Sequence, residues 1–313
     1  AQIIYLRTEN YAAVNSSVNF FTGPLKKWRS LANAILRKIT LKEGEDKNFY
    51  EKKTNIPSWL YDSWIKQYGD KKTKKIIKSI MIEPYIDLKI KKDFDLWKDK
   101  IKGLNIFNNT IRVNKIGDLT KLAGYKEGAW WVQNIASQLP VMLFKNIKNK
   151  EVIDLCAAPG GKTAQLLNQG AKVIALDVSK KKIDLLYNNI KRLNLCDNLN
   201  IINKDLRDWK PVHKTNYLLL DVPCSATGTV RKNPDVIWNK KQEDIVRLSL
   251  IQKELLKEAI NMVKKDGIIV YCNCSMQKEE GEEVIDYILK EKKVTLDPIK
   301  DKEIPNYPKG IIN

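Results

Sequence analysis

The second half of the chain, from residue 150 onward, predicts an α/β fold with a doubly wound, mostly parallel sheet, on three observations. Short apolar runs alternate with longer amphipathic stretches, the pattern of strands wrapped by helices. The amphipathic stretches repeat their apolar residues at helical spacing. Small, acidic and thiol-bearing residues stand just after the runs, where open parallel sheets place their ligand-binding edge.

The elements follow in order. Residues 1 to about 40 read as helical, with Leu25, Trp28, Leu31, Ile35 and Ile39 at helical spacing before the polar break KEGEDKN, a candidate linker. A mixed α+β segment follows, in which Pro57 suits a helix start and Gly69 a helix end. The candidate strands are EVIDLC, AKVIALD, NLNIIN, YLLLDVP and GIIVYCN. Between them Ile183, Leu186, Tyr187, Ile190 and Leu193 trace one helical face, and Ile245, Leu248, Leu255, Ala259 and Met262 another. These signals give three segments: 1–45 helical, 46–145 mixed, and 146–313 the doubly wound domain.

Bulk properties narrow the function. With 313 residues, 43% of them apolar, the chain can bury a full core. No apolar run approaches the roughly 20 residues of a membrane helix, and the first residues lack a secretory-signal layout. The five cysteines sit inside apolar runs rather than at framework spacings, so reduced thiols and a cytoplasmic setting are expected. No metal site is expected either, because Cys272 and Cys274 are one residue apart and His213 is the sole histidine. The net charge of +19 points to a polyanionic partner such as RNA or DNA. The runs KKTKK (71–75) and KKK (180–182) read equally as phosphate contacts or as solvated surface.

The strand ends carry the chemistry. After the first strand, CAAPGGKT ends like a triphosphate loop but has Cys156 where that loop's first glycine belongs. After the second, Asp177 can accept hydrogen bonds from both hydroxyls of a ribose, which suggests an adenosine-containing cofactor. Asp205 follows the third strand and can reach an adenine amino group or simply cap a turn. The fourth ends in Asp221, Pro223 and Cys224, and the fifth delivers Cys274 to the neighbouring position. Trp130 and Trp131 read as core rather than as base-stacking residues. Cys272 is expected to point away from Cys274 and to be structural.

The stretches DLCAAPGGKT, ALDVS, LLDVPCSATGTVRKNPDVIW and VYCNCSMQKEEGEEV resemble those of RNA cytosine-C5 methyltransferases. The group is the one called RsmB, Sun or Fmu in bacteria and related to the NSUN enzymes. GAWWVQNIASQLP resembles its segment before the cofactor loop, and residues 5–39 resemble the latter half of an N-terminal NusB-like domain, here shortened. The resemblance implies a Rossmann-like methyltransferase domain that takes S-adenosylmethionine. It places Cys156, Ala157, Ala158, Pro159, Gly160, Gly161 and Lys162 around the methionine part, Asp177 on the ribose, Asp205 by the adenine and Asp221 by the sulfonium and target base. It further implies Cys274 as nucleophile, Cys224 in product release and Asp221 in stabilising the base.

Arg231 and Lys232, just beyond the Cys224 loop, are the expected RNA contacts, with segment 46–145 contributing. The implied substrate is a cytosine of 16S ribosomal RNA, free or in a pre-ribosomal particle, and a monomer without metal or membrane partner is expected. Asn273 and Asn233 depart from the family's usual Thr and His. Other readings are methylation of another RNA such as tRNA, an ATP-dependent P-loop enzyme, or a non-catalytic RNA-binding or ribosome-assembly module.

Overall fold

Apolar periodicity turns into two differently organised units. The computed structural model describes residues 9–41, 56–114, 117–300 and 303, and the chain divides into residues 1–55 and 56–313. In the first unit, α1 (Asn10–Asn19) and α2 (Arg29–Leu41) flank a short 3-10 turn, Gly23–Trp28. Ala13, Val14 and Val18 are buried, with Leu36 packed against them. The expected helix is therefore present, yet Leu25, Trp28, Leu31, Ile35 and Ile39 all remain exposed. Spacing reveals an apolar face but not what covers it. Two helices and a turn are too little to define a NusB-like domain, and the KEGEDKN linker and the boundary at residue 45 lie outside the described residues.

The second unit begins with α3 (Ser58–Tyr68), set between Pro57 at its N-cap and Gly69 at its C-cap, and continues into α4 (Asp70–Ile80). Gly69 has φ 76°, a left-handed conformation that glycine adopts at little cost. Next come β1 (Ile86–Ile90), α5 (Phe94–Ile101), β2 (Leu104–Phe107), β3 (Thr110–Val113) and β4 (Trp130–Val132). They form a four-stranded sheet of order β2-β3-β1-β4, with antiparallel pairs throughout. Its core gathers Leu88, Ile90, Ile111 and Trp130 over Trp97 and Ile101 of α5. Trp130 and Trp131 are 0% and 4% exposed, in agreement with their reading as core.

After α6 (Ile135–Met142) the chain builds β5 (Glu151–Leu155), α7 (Gly161–Asn168), β6 (Lys172–Asp177), α8 (Lys180–Arg192) and β7 (Leu199–Asn203). It finishes with β8 (Thr215–Asp221), α9 (Gln242–Asn261), β9 (Val263–Cys272) and α10 (Glu282–Leu289). The sheet is parallel, order β7-β6-β5-β8-β9, and contains all five predicted strands.

Because side chains alternate across a strand, each strand feeds two cores. Val152, Val173, Leu219 and Val270 pack with α7 and α8 residues such as Leu166, Leu186 and Ile190. Ile153, Leu176, Leu218 and Leu220 pack with Leu255, Leu256 and Ala259 of α9 and Val284 and Ile288 of α10. This two-sided burial is the predicted doubly wound arrangement. Only Tyr187 departs from its predicted helical face, being 45% exposed.

The antiparallel sheet is joined to the parallel one by buried amides. Gln133 accepts from Trp131 Nε1 at 2.8 Å and donates to Gln165 Oε1 at 2.9 Å, while Gln138 donates to Thr110 Oγ1 at 3.0 Å. Such groups are costly to bury unless every one is satisfied, so they fix one relative placement of the sheets. Among the described residues no helix is long and apolar enough to cross a membrane.

Candidate active site

The parallel order brings the carboxyl ends of β5, β6, β8 and β9 to one edge. At the first, Cys156 takes φ 58° and Gly160 φ 98° as the chain turns into α7. A Cβ on Gly160 would stand 2.9 Å from Leu186 Cγ, so glycine lets this loop lie against α8. Ala158 N–H donates to Asp177 Oδ2 at 3.2 Å and Ser179 N–H to Asp177 Oδ1 at 2.9 Å. Asp177, 7% exposed at the end of β6, is thus fixed beside the loop as the sequence predicts. Asp205 lies after β7, but its carboxylate accepts from Arg207 N, Nε and Nη2 at 2.9, 3.0 and 2.7 Å. The turn-capping role is therefore filled, and any adenine contact must share the group with Arg207.

Lys162, in the first turn of α7, reaches across to Asp221 at the end of β8, 2.7 Å from Nζ to Oδ2. The other oxygen of Asp221 accepts from Cys272 Sγ at 3.4 Å. Asp221 and Cys272 are register partners on adjacent parallel strands. The expectation that Cys272 is merely structural and turned away is corrected here, since its thiol lies on the Asp221 carboxylate. Burial and the adjacent Asp221 charge push the Cys272 thiol well up, so it remains an S–H donor. Burial likewise pushes the Cys156 thiol up, and neither is a nucleophile at neutral pH.

The remaining thiols behave differently. Cys224 and Cys274 come from loops after adjacent strands, and their Sγ atoms are 3.1 Å apart. Cys274 N–H also points at Cys224 Sγ, at 3.3 Å. The hydrogen bond from Cys224 lowers the Cys274 pKa against the opposing effects of burial and Asp221, while the Cys274 partner and burial raise that of Cys224. The pair is thereby biased, with Cys274, the exposed member, the one favoured to lose its proton and Cys224 the one favoured to keep it. All five cysteines are free.

The two cysteine loops abut closely. Gly228 N–H donates to Cys274 O at 2.9 Å, and a Cβ on Gly228 would lie 2.8 Å from that oxygen. Beneath them sits Glu280, which is 0% exposed. One oxygen accepts from Ser225 N–H at 2.8 Å and Gln252 Nε2 at 3.0 Å; the other accepts from Ser275 Oγ at 2.5 Å and from Ser225 Oγ. Glu280 escaped the sequence reading because an acidic run next to a helix looks like solvated surface. The only signal was the Ser that directly follows both Cys224 and Cys274.

Asn273, at the position of the family's usual Thr, donates to Glu280 O at 2.9 Å and accepts from Ser275 N–H at 2.8 Å, which makes it a turn former. Arg231 is held by the carbonyls of Ile82 and Glu83 at 2.9 and 2.8 Å, with its guanidinium 5.6 Å from the Tyr85 ring. Arg112 stands 5.1 Å from the same ring. Lys232 lies exposed on the same loop.

With this geometry in view, comparison with known proteins is informative. A family model described as 16S rRNA methyltransferase RsmB/F matches residues 141–310. Ribosomal RNA small subunit methyltransferase B of Proteus mirabilis is 30% identical over 305 residues, covering 91% of this chain and 71% of its own length. The human 28S rRNA (cytosine(4447)-C(5))-methyltransferase is 36% identical over 204 residues, covering 63% of this chain but only 24% of its own. The crystal structure of PH0851 superimposes with a TM-score of 0.76 at 24% identity, over 88% of this chain and 67% of that one, and shares the fold.

Proposed function

This chain belongs to the RsmB/F family of 16S rRNA methyltransferases, and from that membership we propose that it methylates carbon 5 of a cytosine in small-subunit ribosomal RNA. The observation that carries the reading is the Cys224–Cys274 pair, 3.1 Å apart and within reach of the Asp221 charge at the ligand-binding edge of the sheet.

The cofactor is S-adenosylmethionine, and the donor set suits it. Lys162 and Asp221 present the two charges that complement the carboxylate and ammonium of an amino acid. The nearest atom to a Cβ on Gly161 is 3.9 Å away, so the loop leaves room there. Asp177 holds a carboxylate for the ribose hydroxyls, and Asp205, shared with Arg207, stands for the adenine edge. When bound, the cofactor supplies an electrophilic methyl group.

Carbon 5 of cytosine is a poor nucleophile, so the chain must activate the ring. Cys274 Sγ adds to carbon 6 as ring nitrogen 3 takes a proton from water, and the carboxylate of Asp221 accepts the hydrogen bond of that N–H, which makes carbon 5 electron-rich. After methyl uptake, the carbon 5 proton must leave and the Cys274 sulfur must depart. Cys224 fits this second half. Its thiol is held protonated mainly by its hydrogen bond to Cys274, and that hold vanishes once Cys274 becomes a thioether in the adduct. Cys224, its S–H proton passed to solvent water, then acts as the thiolate that takes the carbon 5 proton, although burial still works against its ionisation. A base buried in a duplex offers no ring face to a thiol, so the target is unpaired or flipped out.

The test is incubation of the full chain with S-adenosylmethionine and small-subunit rRNA from cells lacking this enzyme. New 5-methylcytosine at one position is expected, absent with Cys274→Ala. Cys224→Ala is expected to accumulate a covalent protein–RNA adduct on a denaturing gel. The reverse pattern would swap the two roles, and no transfer by the wild-type protein would sink the reading.

A further inference from the structure

Two sulfurs can divide nucleophile and release duties only if their spacing is held, yet they sit on separate loops 50 residues apart in sequence. Direct bonds join the loops, from Gly228 N–H to Cys274 O and from Met276 N–H to Thr227 Oγ1, and one buried carboxylate adds to them from beneath. The Oε2 atom of Glu280 accepts the hydroxyl of Ser275, next to Cys274, and the hydroxyl of Ser225, next to Cys224. Its Oε1 atom accepts the Ser225 backbone N–H and the Gln252 amide, which also donates to Pro223 O at 2.9 Å. The Glu280 backbone carbonyl takes Tyr271 Oη at 2.8 Å and Asn273 Nδ2 at 2.9 Å, anchoring it to the end of β9.

A fully buried carboxylate is expensive unless its charged form is richly hydrogen-bonded, and four donors converge here. A neutral amide in this place has a single acceptor oxygen, with too few lone pairs for all four donors. A purely apolar plug would fill the space, leave the Ser225 N–H without its acceptor and leave the serine hydroxyls only each other and Thr227 Oγ1 as partners. What the carboxylate adds over either is a tie between the loops.

We propose that Glu280 is the positioning residue of the two-thiol site: through the serine that follows each cysteine it locks the Cys224 loop to the Cys274 loop and sets the spacing of their sulfurs. Glu280 touches no substrate atom, and its effect passes through Ser225 and Ser275. The inference rests on the two-cysteine reading given above, but the spacing can be tested apart from catalysis.

The experiment uses the full chain with Glu280→Gln, Ser225→Ala, Ser275→Ala and the double serine variant. Dibromobimane, which joins two thiols by displacing a bromide with each, reports whether Cys224 and Cys274 stay within bridging reach, with the joined peptides identified by mass spectrometry. Single-turnover methyl transfer and the S-adenosylmethionine-dependent melting shift are measured beside it. For Glu280→Gln the expected result is bridging at least tenfold slower and transfer at least tenfold slower, with KM for S-adenosylmethionine within about twofold of wild type. Each serine variant should lose part of both rates, and the double variant should approach Glu280→Gln. Bridging and transfer both within threefold of wild type in Glu280→Gln would overturn the proposal.

If Glu280→Gln fails to fold, the serine variants decide, since they keep the carboxylate and remove one tie each; unchanged bridging in the double variant overturns the proposal equally. Absence of methyl transfer by the wild type would sink the functional reading alone, leaving the bridging rates to judge Glu280.

Discussion

At the scale of single residues, thiols of one chemical type acquire different reactivities from their surroundings. Cys274 has its pKa lowered chiefly by the S–H of Cys224, whereas burial raises those of Cys156 and Cys272. Iodoacetamide at pH 7.5 should therefore label Cys274 at least tenfold faster than Cys156 or Cys272, as read by peptide mass spectrometry. In Cys224→Ala the stabilising donor is gone, the thiolate fraction falls, and labelling of Cys274 should slow; equal labelling of all thiols would contradict this account. Asp154, at 0% exposure beneath the loop, makes a second case. Its Oδ2 accepts Thr163 Oγ1 at 2.6 Å and its Oδ1 has no partner. Burial raises its pKa to about 7 against the opposing pull of the Thr163 hydrogen bond. The folded state then keeps a proton that the unfolded chain releases near pH 4, so this residue's contribution to stability is full below about pH 4 and is lost as pH rises to about 7. The slope reaches about 1.4 kcal/mol per pH unit within that window. Asp154→Asn removes the titration, and its melting temperature relative to wild type should climb between pH 5 and 7.5. A flat or falling difference would show that Asp154 is ionised throughout. The sequence made the placement of Asp177, Asp221, Cys224 and Cys274 legible because they stand at or just after strand ends. It was silent on Asp154 and Glu280 and turned Cys272 away from the carboxylate that it meets, because these surroundings arise only when distant segments come together.

At the scale of elements, the catalytic loops are shaped by neighbours that no periodicity identifies. Helix α3, from the segment expected to contribute RNA contacts, braces the loop after Cys274. Trp64 Nε1 donates to Gln277 Oε1 at 2.7 Å, Gln67 Nε2 to Glu279 Oε2 at 2.8 Å, and Tyr68 Oη to Met276 O. Strands and helices are short-range objects, so their apolar spacing revealed all five parallel strands and both long helical faces. The docking of α3 depends on residues 213 apart and left only an amphipathic pattern in the sequence. The same limit hid Gly228, which sequence alone shows as an ordinary loop glycine. Alanine there would press a methyl group to 2.8 Å from the Cys274 carbonyl, and because the obstacle is backbone, the Cys274 loop itself must move. Gly228→Ala should cost roughly 1–3 kcal/mol of stability and slow methyl transfer at least tenfold. The affinity for S-adenosylmethionine, set by other strand ends, should stay within about twofold. Isothermal titration with the cofactor beside single-turnover kinetics separates these effects, and a transfer rate within threefold of wild type would mean the two loops have slack.

At the scale of the whole molecule, a charge of +19 is the property most visible in the sequence and least resolved by local structure. Part of the basic surface is locally balanced: Lys74 pairs with Asp70 at 2.9 Å and Lys180 with Asp184 at 2.8 Å, one helical turn apart in each case. Such exposed pairs contribute little to stability and leave the net charge unchanged. Near the site, the N–H groups of Arg231 rest on carbonyls, and it adjoins Arg112, Tyr85 and the exposed Lys232. A polyanion bound by many such cations must release counterions, whereas a small ligand held at strand ends by Lys162, Asp177 and Asp221 releases few. The two substrates should therefore respond to salt differently. On a log–log plot the affinity for RNA should fall with a slope of about −0.7 for each single-stranded phosphate neutralised. Four to six such contacts, a rough range, imply a loss of about two to three orders of magnitude in affinity between 50 and 300 mM potassium chloride. KM for S-adenosylmethionine should move by less than about twofold over the same range. Arg231→Gln with Lys232→Gln should make the RNA slope shallower by one to two contacts without changing the cofactor KM. A salt-independent KM for RNA would mean that the surplus lysines are solvated surface and that the RNA is held by base contacts alone; an unchanged slope in the double variant would move the phosphate contacts away from the Cys224 loop to another part of the surface.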